Sequence, residues 1–281
     1  MTTTPDPRLT LMRDGVAART LEGLVPAERY VDPTVRQCAL PAAAIRKAPA
    51  ADAELGDQLL FGELFEVLLE EGGMAFGRAR RDGYVGWVEN AALFSPVESP
   101  THRVHALRAY AFSRPDIRTQ PIGLYSMNSL LTLERRDGRF AKAVGTGWFV
   151  EAQLGPVGLA LSRDPAGIAE AYLGAAYLWG GRDSLGLDCS GLVQQALYAA
   201  GKACPRDTDM QEAVLGRPID RPALRRGDLV FWTGHVAIML DETRMLHANS
   251  HRMAVTIEVL DDAIVRIRSS GGGEPTSFRR L

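Results

Sequence analysis

Cysteine is scarce in this sequence, and its pattern excludes several kinds of protein. The 281 residues contain three cysteines, Cys38, Cys189 and Cys204, and no CxxC pair. An odd number without paired spacing disfavours both a disulfide framework and an all-cysteine zinc site. Free thiols persist in reducing compartments, so we expect a cytoplasmic protein.

Long apolar runs and an excess of one charge are also missing. No stretch approaches 18 consecutive apolar residues, so no transmembrane helix is expected. The N-terminus, MTTTPDPRLT, lacks the basic and apolar regions of a secretory signal, so none is expected. Lys and Arg number 32 against 34 Asp and Glu, a net charge of -2. This balance argues against nucleic acid or an anionic membrane as a partner.

The first half of the chain contains a repeat. The segment GYVGWVENAAL (83–93) resembles VGTGWFVEAQL (144–154), and the two GW dipeptides lie 61 residues apart. Repeats of this period indicate two copies of one supersecondary unit. Short apolar runs between glycine-rich turns predict small all-β barrels. We therefore expect an N-terminal arm with at most a short helix at 1–34. Two barrels are expected at 35–97 and 103–155, with a proline-containing linker between them at 95–102.

Repeats that end in G-W-V/F resemble a tandem pair of bacterial SH3-like domains. The alternative for Trp87 and Trp148 is that both merely fill a barrel core.

The second half of the chain differs in character. A helix is expected from Asp164-Pro165 to about Tyr177, and a second from Cys189 to Gly201. Strands are expected after them at 228–232, 235–240, 244–248, 254–259 and 263–267. Helices followed by strands predict an α+β domain at 160–281.

Cys189 lies where the second of these helices begins. Unpaired N–H groups and the positive end of the helix dipole at that position stabilise a thiolate, the nucleophilic form of cysteine. A buried structural cysteine is the alternative. A thiolate nucleophile needs a base, and the base needs a partner that orients it.

His235 and His247 are the candidates for the base and its partner. They flank a predicted hairpin whose turn lies near 241–243, which places them almost opposite each other and on one face. Two imidazoles in reach would let one act as base while the other fixes its tautomer. His251 lies beyond this pairing and is expected in a loop. The alternative for a strand histidine is a hydrogen-bonded or exposed bystander.

Six motifs in order resemble the NlpC/P60 cysteine peptidases. They are YLWGG (177–181), DCSGLVQ (188–194), PRDTDMQ (205–211), GDLVFW (227–232), HVAIML (235–240) and LHANS (246–250). The resemblance implies a papain-like catalytic domain, preceded here by two small SH3-like barrels. It also implies Cys189 as nucleophile, His235 as general base and His247 as orienting residue. No cofactor or metal is implied.

The resemblance also implies a substrate. Relatives with N-terminal SH3-like domains cleave free murein peptides, L-Ala-γ-D-Glu-diamino acid, between γ-D-Glu and the diamino acid, which suits the recycling of cell-wall peptides in the cytoplasm. In them a tyrosine of the first SH3-like domain reaches the cleft; RDGYVGWV supplies Tyr84. Tyr84 and Asp188 would bind the amine of L-Ala, Ser190 and Thr208 would hydrogen-bond the substrate, and Tyr177 would help to stabilise an oxyanion. Tyr177 could instead be a packing residue, and Asp188 is also suited to cap its helix.

Other functions fit parts of this pattern. A zinc hydrolase could use Cys189, His235 and His247, although no short-spaced ligand pair anchors a metal. A non-catalytic module could bind a cell-wall peptide, although a complete Cys/His/His set argues against it. An amidase or acyltransferase on the same core is a further alternative.

Overall fold

The chain forms two compact units, one ending at Val157 and the other beginning at Gly158. This computed structural model describes residues 5–281. Across those residues, no helix combines the length and apolar character that a membrane crossing requires.

The N-terminal residues contain a small three-stranded sheet between Met12 and Val31, in place of the expected arm with a short helix. Its strands are β1 (Met12–Arg13), β2 (Val16–Ala18) and β3 (Arg29–Val31), with a 3-10 turn at Arg19–Leu21. Leu11 and Ala18 are buried in one apolar cluster with Trp87. Strands of two or three residues are too short to show a period, which is why the sequence pattern missed them.

The first barrel is built from seven strands, several of which follow the apolar runs of the sequence. They pair in the order β10-β4-β7-β8-β9-β5-β6. Their bounds are β4 (Thr34–Cys38), β5 (Ala42–Arg46), β6 (Leu55–Leu60), β7 (Leu64–Glu71), β8 (Met74–Ala79), β9 (Val85–Glu89) and β10 (Leu93–Phe94).

The second barrel repeats the closing part of the first. In each copy the strand that carries the tryptophan leads into a 3-10 turn, at Asn90–Ala92 or Glu151–Gln153, and then into a short closing strand. Trp87 and Trp148 are both buried, as the core alternative requires. The strands are β11 (His102–Val104), β12 (Arg108–Phe112), β13 (Pro121–Ser126), β14 (Leu130–Leu131), β15 (Leu133–Asp137), β16 (Phe140–Ala143), β17 (Trp148–Val150) and β18 (Leu154–Pro156).

The two barrels share apolar packing. Phe61 follows the last residue of β6 but lies in the buried cluster of the second barrel, with its ring centroid 5.1 Å from that of Tyr125. The next residue, Gly62, has φ +81° and lies so close to the backbone of Leu130 that a Cβ would come within 2.2 Å of the carbonyl oxygen. Glycine at this position is therefore required by both its conformation and its contact.

The second unit has the α+β architecture expected, with helices packed on an eight-stranded sheet. The sheet order is β20-β19-β25-β24-β23-β22-β26-β21. The elements are α1 (Pro165–Glu170), β19 (Ala176–Tyr177), β20 (Gly186–Leu187), α2 (Cys189–Ala199), α3 (Thr208–Val214), β21 (Arg217–Pro218), a 3-10 turn at Arg221–Ala223, β22 (Leu229–Trp232), β23 (His235–Met239), β24 (Arg244–Asn249), β25 (Ala254–Val259), α4 (Leu260–Ser269) and β26 (Ser277–Arg280).

Two expected elements were wrong. The expected strand at 263–267 is part of helix α4, whose first turn holds Asp261 and Asp262 and whose last turn holds Arg266 and Arg268, as the helix dipole favours. Its β-branched residues suggested a strand, but Leu260, Ala263 and Ile264 lie on one buried helical face. Helix α1 ends at Glu170, seven residues before the expected end at Tyr177, which instead belongs to strand β19.

Candidate active site

Helix α2 presents Cys189 at its first residue, as the sequence predicts. The preceding Asp188 caps the helix, because its Oδ1 accepts the backbone N–H of Gly191 at 2.7 Å. All 11 residues of the helix are buried. Gly191 approaches another backbone so closely that a Cβ would lie 2.4 Å from the carbonyl oxygen of Gly181. The DCSG and GG motifs thus allow the start of the helix to pack against the preceding loop.

The two predicted histidines touch each other. His235 Nε2 and His247 Nδ1 lie 2.8 Å apart. The strand pairs Ile238–Leu246 and Met239–Met245 centre the turn on residue 242, as expected, and place the two histidines almost opposite each other, as diagonal neighbours across β23 and β24. Diagonal neighbours on one face remain within reach of long side chains, so the same contact forms.

Cys189 and His235 line one cleft of about 220 Å³ in the second unit. The Cys189 Sγ lies 4.0 Å from the carbonyl oxygen of Gly234, the residue before His235. Tyr177 and the exposed Trp179 also line the cleft, and so does His251, which lies in the loop expected for it. His247 is buried behind His235, where it can orient the ring without meeting a substrate.

Burial opposes the charged forms of both reacting groups. Burial first, and the Asp188 carboxylate second, raise the pKa of the Cys189 thiol to about 12, although backbone N–H groups of Val236 and Ser190 act in the opposite direction. Burial, followed by the neighbouring His247, lowers the pKa of His235 to about 3. Without substrate, the site therefore favours a neutral Cys189 thiol and a neutral His235 imidazole. The neutral imidazole is the form that a general base needs.

The low pKa of His235 predicts a loss of stability in acid. The unfolded chain protonates this histidine near pH 6.5 and the folded chain only near pH 3, so folding weakens as the pH falls between these values. As the pH falls between these two values, the unfolding free energy of His235→Phe should decrease less than that of wild type, as measured by urea denaturation. His105→Gln, a control elsewhere in the chain, should behave as wild type; identical pH slopes for His235→Phe and wild type would contradict the assignment.

Asp188 belongs to a buried network with Arg206. The guanidinium donates to both carboxylate oxygens, at 3.0 and 2.7 Å, and to Ser190 Oγ at 2.7 Å. The carboxylate also accepts the Ser190 hydroxyl at 3.1 Å and the backbone N–H of Gly180 at 2.9 Å. Through these hydrogen bonds, Asp188 and Ser190 stabilise the start of α2. Direct contact of either with substrate stays a prediction.

The other substrate residues lie in three places. Tyr177 lines the cleft, where burial, Cys189 and Asp188 raise the pKa of its phenol, so the hydroxyl keeps its proton as a hydrogen-bond donor. Thr208 is the half-buried first residue of α3. Tyr84 belongs to the buried cluster of the first barrel, with its ring against Gly56. Their substrate roles stay predictions.

Sequence reasoning missed several polar residues around the site. Arg206 and Gln211 lie in the PRDTDMQ motif; Gln211 Nε2 donates to the carbonyl oxygens of Ser190 and Pro205, at 3.0 and 2.9 Å. Glu258 and Arg266 form an ion pair next to His247. The position of Arg206 in a family motif was an available signal, whereas nothing in the sequence marks Glu258.

A helix-start cysteine and a paired histidine dyad on an adjacent sheet define a cysteine peptidase domain. Residues 174–270 match the model of the NlpC/P60 family, and residues 45–93 match the model described as bacterial dipeptidyl-peptidase SH3 domain. The chain therefore carries an NlpC/P60 peptidase domain together with a bacterial SH3 domain of the dipeptidyl-peptidase type.

Two curated relatives and one solved structure are similar to this chain. Dipeptidyl-peptidase 6 of Lysinibacillus sphaericus is 36% identical over 34% of this chain and only 35% of its own length. The γ-D-glutamyl-L-lysine dipeptidyl-peptidase of Bacillus subtilis is 27% identical over 76% of this chain and 78% of its own length. A crystal structure of an NlpC/P60 family protein from Bacillus cereus has a TM-score of 0.75, at 20% identity, over 88% of this chain and 99% of that one. The last similarity confirms the fold.

Proposed function

We propose that the protein hydrolyses murein-derived peptides with a free N-terminal L-Ala, between γ-D-Glu and the diamino acid. The observation that carries the proposal is the cleft that holds Cys189 and His235, with His247 2.8 Å behind the base. The substrate is supported by the description of the matching SH3 domain and by the name of the Bacillus subtilis relative, which aligns with 76% of this chain.

The geometry suits acyl transfer through a thioester. Cys189 transfers its proton to His235 while the sulfur attacks the carbonyl carbon of γ-D-Glu. Backbone N–H groups at the start of α2 and the Tyr177 hydroxyl would stabilise the oxyanion. The proton then passes from His235 to the leaving amine of the diamino acid. Water, deprotonated by His235, attacks the thioester and restores the thiol.

The contact between the two histidines bears on the zinc alternative. A catalytic metal would need a ring nitrogen of each directed at one point, whereas the nitrogens that face each other form a hydrogen bond. Within residues 5–281, no three His, Cys, Asp or Glu side chains are grouped as metal ligands. The cysteine peptidase is therefore the better-supported chemistry.

The free N-terminal amine is the feature of the substrate that the proposed site recognises. A site that hydrogen-bonds an ammonium rejects a substrate that lacks one, because its polar groups would stay unpaired. We propose that Tyr84 and Asp188 take part in this recognition. Since five donors already converge on Asp188, its contribution is to fix the local charge and shape as much as to accept a further bond.

The test is mass spectrometry of a synthetic L-Ala-γ-D-Glu-diamino acid tripeptide. We expect release of the free diamino acid by wild type. The same peptide with an acetylated N-terminus should be cleaved about 10⁴-fold more slowly or not at all. Equal rates for the two peptides would contradict amine recognition, and no cleavage of either would contradict the proposed function. The cytoplasmic location and the recycling role stay predictions, which cell fractionation would test.

A further inference from the structure

A chain of polar contacts continues beyond the cysteine and the two histidines. His247 Nε2 lies 3.2 Å from Glu258 Oε2. Glu258 in turn accepts two N–H groups of Arg266, at 2.9 and 2.6 Å. Strand register explains the first contact: Thr256 on β25 is directly opposite His247 on β24, and Glu258 lies two residues further along the same face.

Glu258 is the acceptor available to His247 Nε2. That nitrogen is buried and forms no regular hydrogen bond with any described residue, and the Glu258 oxygen at 3.2 Å is its polar contact. The 3.2 Å separation brings this ring nitrogen within electrostatic contact of the carboxylate. Hydrogen bonds from Arg266 first, and the contact with His247 second, lower the pKa of Glu258 to about 2, so it is a carboxylate at any pH at which the enzyme would work. A carboxylate only accepts hydrogen bonds, and a guanidinium only donates them.

These rules fix the direction of every bond in the chain. His247 must carry its proton on Nε2, because a bare Nε2 would face a carboxylate lone pair. Its Nδ1 is then an acceptor, so His235 Nε2, 2.8 Å away, must be the donor. A neutral imidazole has one N–H, which leaves His235 Nδ1 with a lone pair. That nitrogen is the one available to take the Cys189 proton.

We propose that Glu258, held by Arg266, is a positioning residue that sets the tautomers of His247 and His235 and so leaves His235 Nδ1 as the proton acceptor. This inference rests on the proposed function in assuming that Cys189 is the nucleophile. When His235 takes the thiol proton it becomes an imidazolium whose Nε2–H remains directed at His247. The Glu258 carboxylate stabilises that positive charge from one ring away. The proton leaves with the amine, so neither His247 nor Glu258 changes protonation.

The direct test is NMR of the histidine ring nitrogens in the full-length protein at neutral pH. His235 and His247 signals are assigned by comparison with single histidine variants. We expect both rings as Nε2–H tautomers in wild type, and a mixture of tautomers for His247 in Glu258→Ala. His247 as the Nδ1–H tautomer in wild type would overturn the proposal. This measurement needs no substrate, so it stands even where the tripeptide is not cleaved and the proposed function fails.

Kinetics on the tripeptide provide the second test. We expect kcat to fall about 10- to 100-fold in Glu258→Ala with KM unchanged, less than the ~10⁴-fold lost when the orienting carboxylate of a Ser-His-Asp triad becomes an amide. Glu258→Gln keeps an acceptor oxygen but loses the charge, so its loss should be smaller. The acidic limb of the kcat/KM profile should move to lower pH in both, since a nearby carboxylate raises histidine pKa.

Glu242→Gln is the matched control, because Glu242 is an exposed glutamate in the turn between β23 and β24. It should match wild type in kcat and in its pH profile. Wild-type kcat and an unmoved acidic limb in both Glu258 variants would overturn the proposal. If Glu258→Ala does not fold, Glu258→Gln tests the proposal by the same two measurements, kcat and the acidic limb of the kcat/KM profile.

Discussion

Replacing Cys189 with alanine is expected to abolish cleavage of the tripeptide while leaving the fold intact. Without the sulfur no thioester can form, and removal of a nucleophile from a comparable hydrolase costs about 10⁶-fold in kcat. Alanine fits the site, because the residue is the first of a buried helix and the contact of its sulfur with the carbonyl oxygen of Gly234 is long, at 4.0 Å. The loss should therefore be catalytic rather than structural.

The comparison variant is Cys38→Ala, since Cys38 is also buried but lies in the core of the first barrel. Its kcat should remain near wild type. Iodoacetamide should label wild type at Cys189 ahead of Cys38 and Cys204, and the Cys189→Ala protein should lose that fast label. Continued cleavage by Cys189→Ala would exclude Cys189 as the nucleophile. Faster labelling of Cys38 or Cys204 than of Cys189 would favour a non-catalytic module.

The Arg206→Met variant is expected to be the most destabilised single substitution among those proposed. Its guanidinium is buried, and its removal would leave the Asp188 carboxylate without the charge that balances it. Breaking a buried ion pair from one side costs about 3–5 kcal/mol of unfolding free energy. Because Asp188 caps α2, the start of the helix should loosen and kcat should fall as well.

Arg226→Met is the matched control for this prediction. Arg226 also pairs with an aspartate, Asp164, at 2.9 Å, and with Glu170, but all three side chains are about 40% exposed. An exposed pair contributes about 1 kcal/mol or less. Urea denaturation should separate the two variants clearly. The double variant Arg206→Met with Asp188→Asn should recover part of the loss, and equal stability of the two single variants would contradict the role of the buried pair.

The catalytic residues could be predicted because their signals are local. A cysteine after an aspartate, at the start of an apolar helical pattern, is evident from a few residues, and structure places Cys189 at the first position of α2. The histidine pair needed only a short hairpin. The turn lies at the expected position, around Glu242, and the diagonal reach of the two rings forms the contact.

The surrounding network could not be predicted because it depends on tertiary contacts. Arg206 reaches Asp188 from 18 residues away in the chain, and Glu258 reaches His247 only through the register of two strands. Helix α4 was misassigned for a related reason: Ile264 and Val265 favour a strand by propensity, but burial of one face decides for a helix. Residues 5–34 show the same limit, since their strands are too short to have a pattern.

The placement of Phe61 has a consequence for how this architecture can change in evolution. A duplicated barrel is usually regarded as a module that can be lost, gained or exchanged alone. Here one copy contributes an aromatic side chain to the interior of the other, and Gly62 makes that crossing sterically feasible. Recombination that separated the copies would leave one with an exposed phenylalanine and the other with a cavity. The pair is therefore expected to be inherited as a single unit, and chimaeras between relatives should exchange both barrels together.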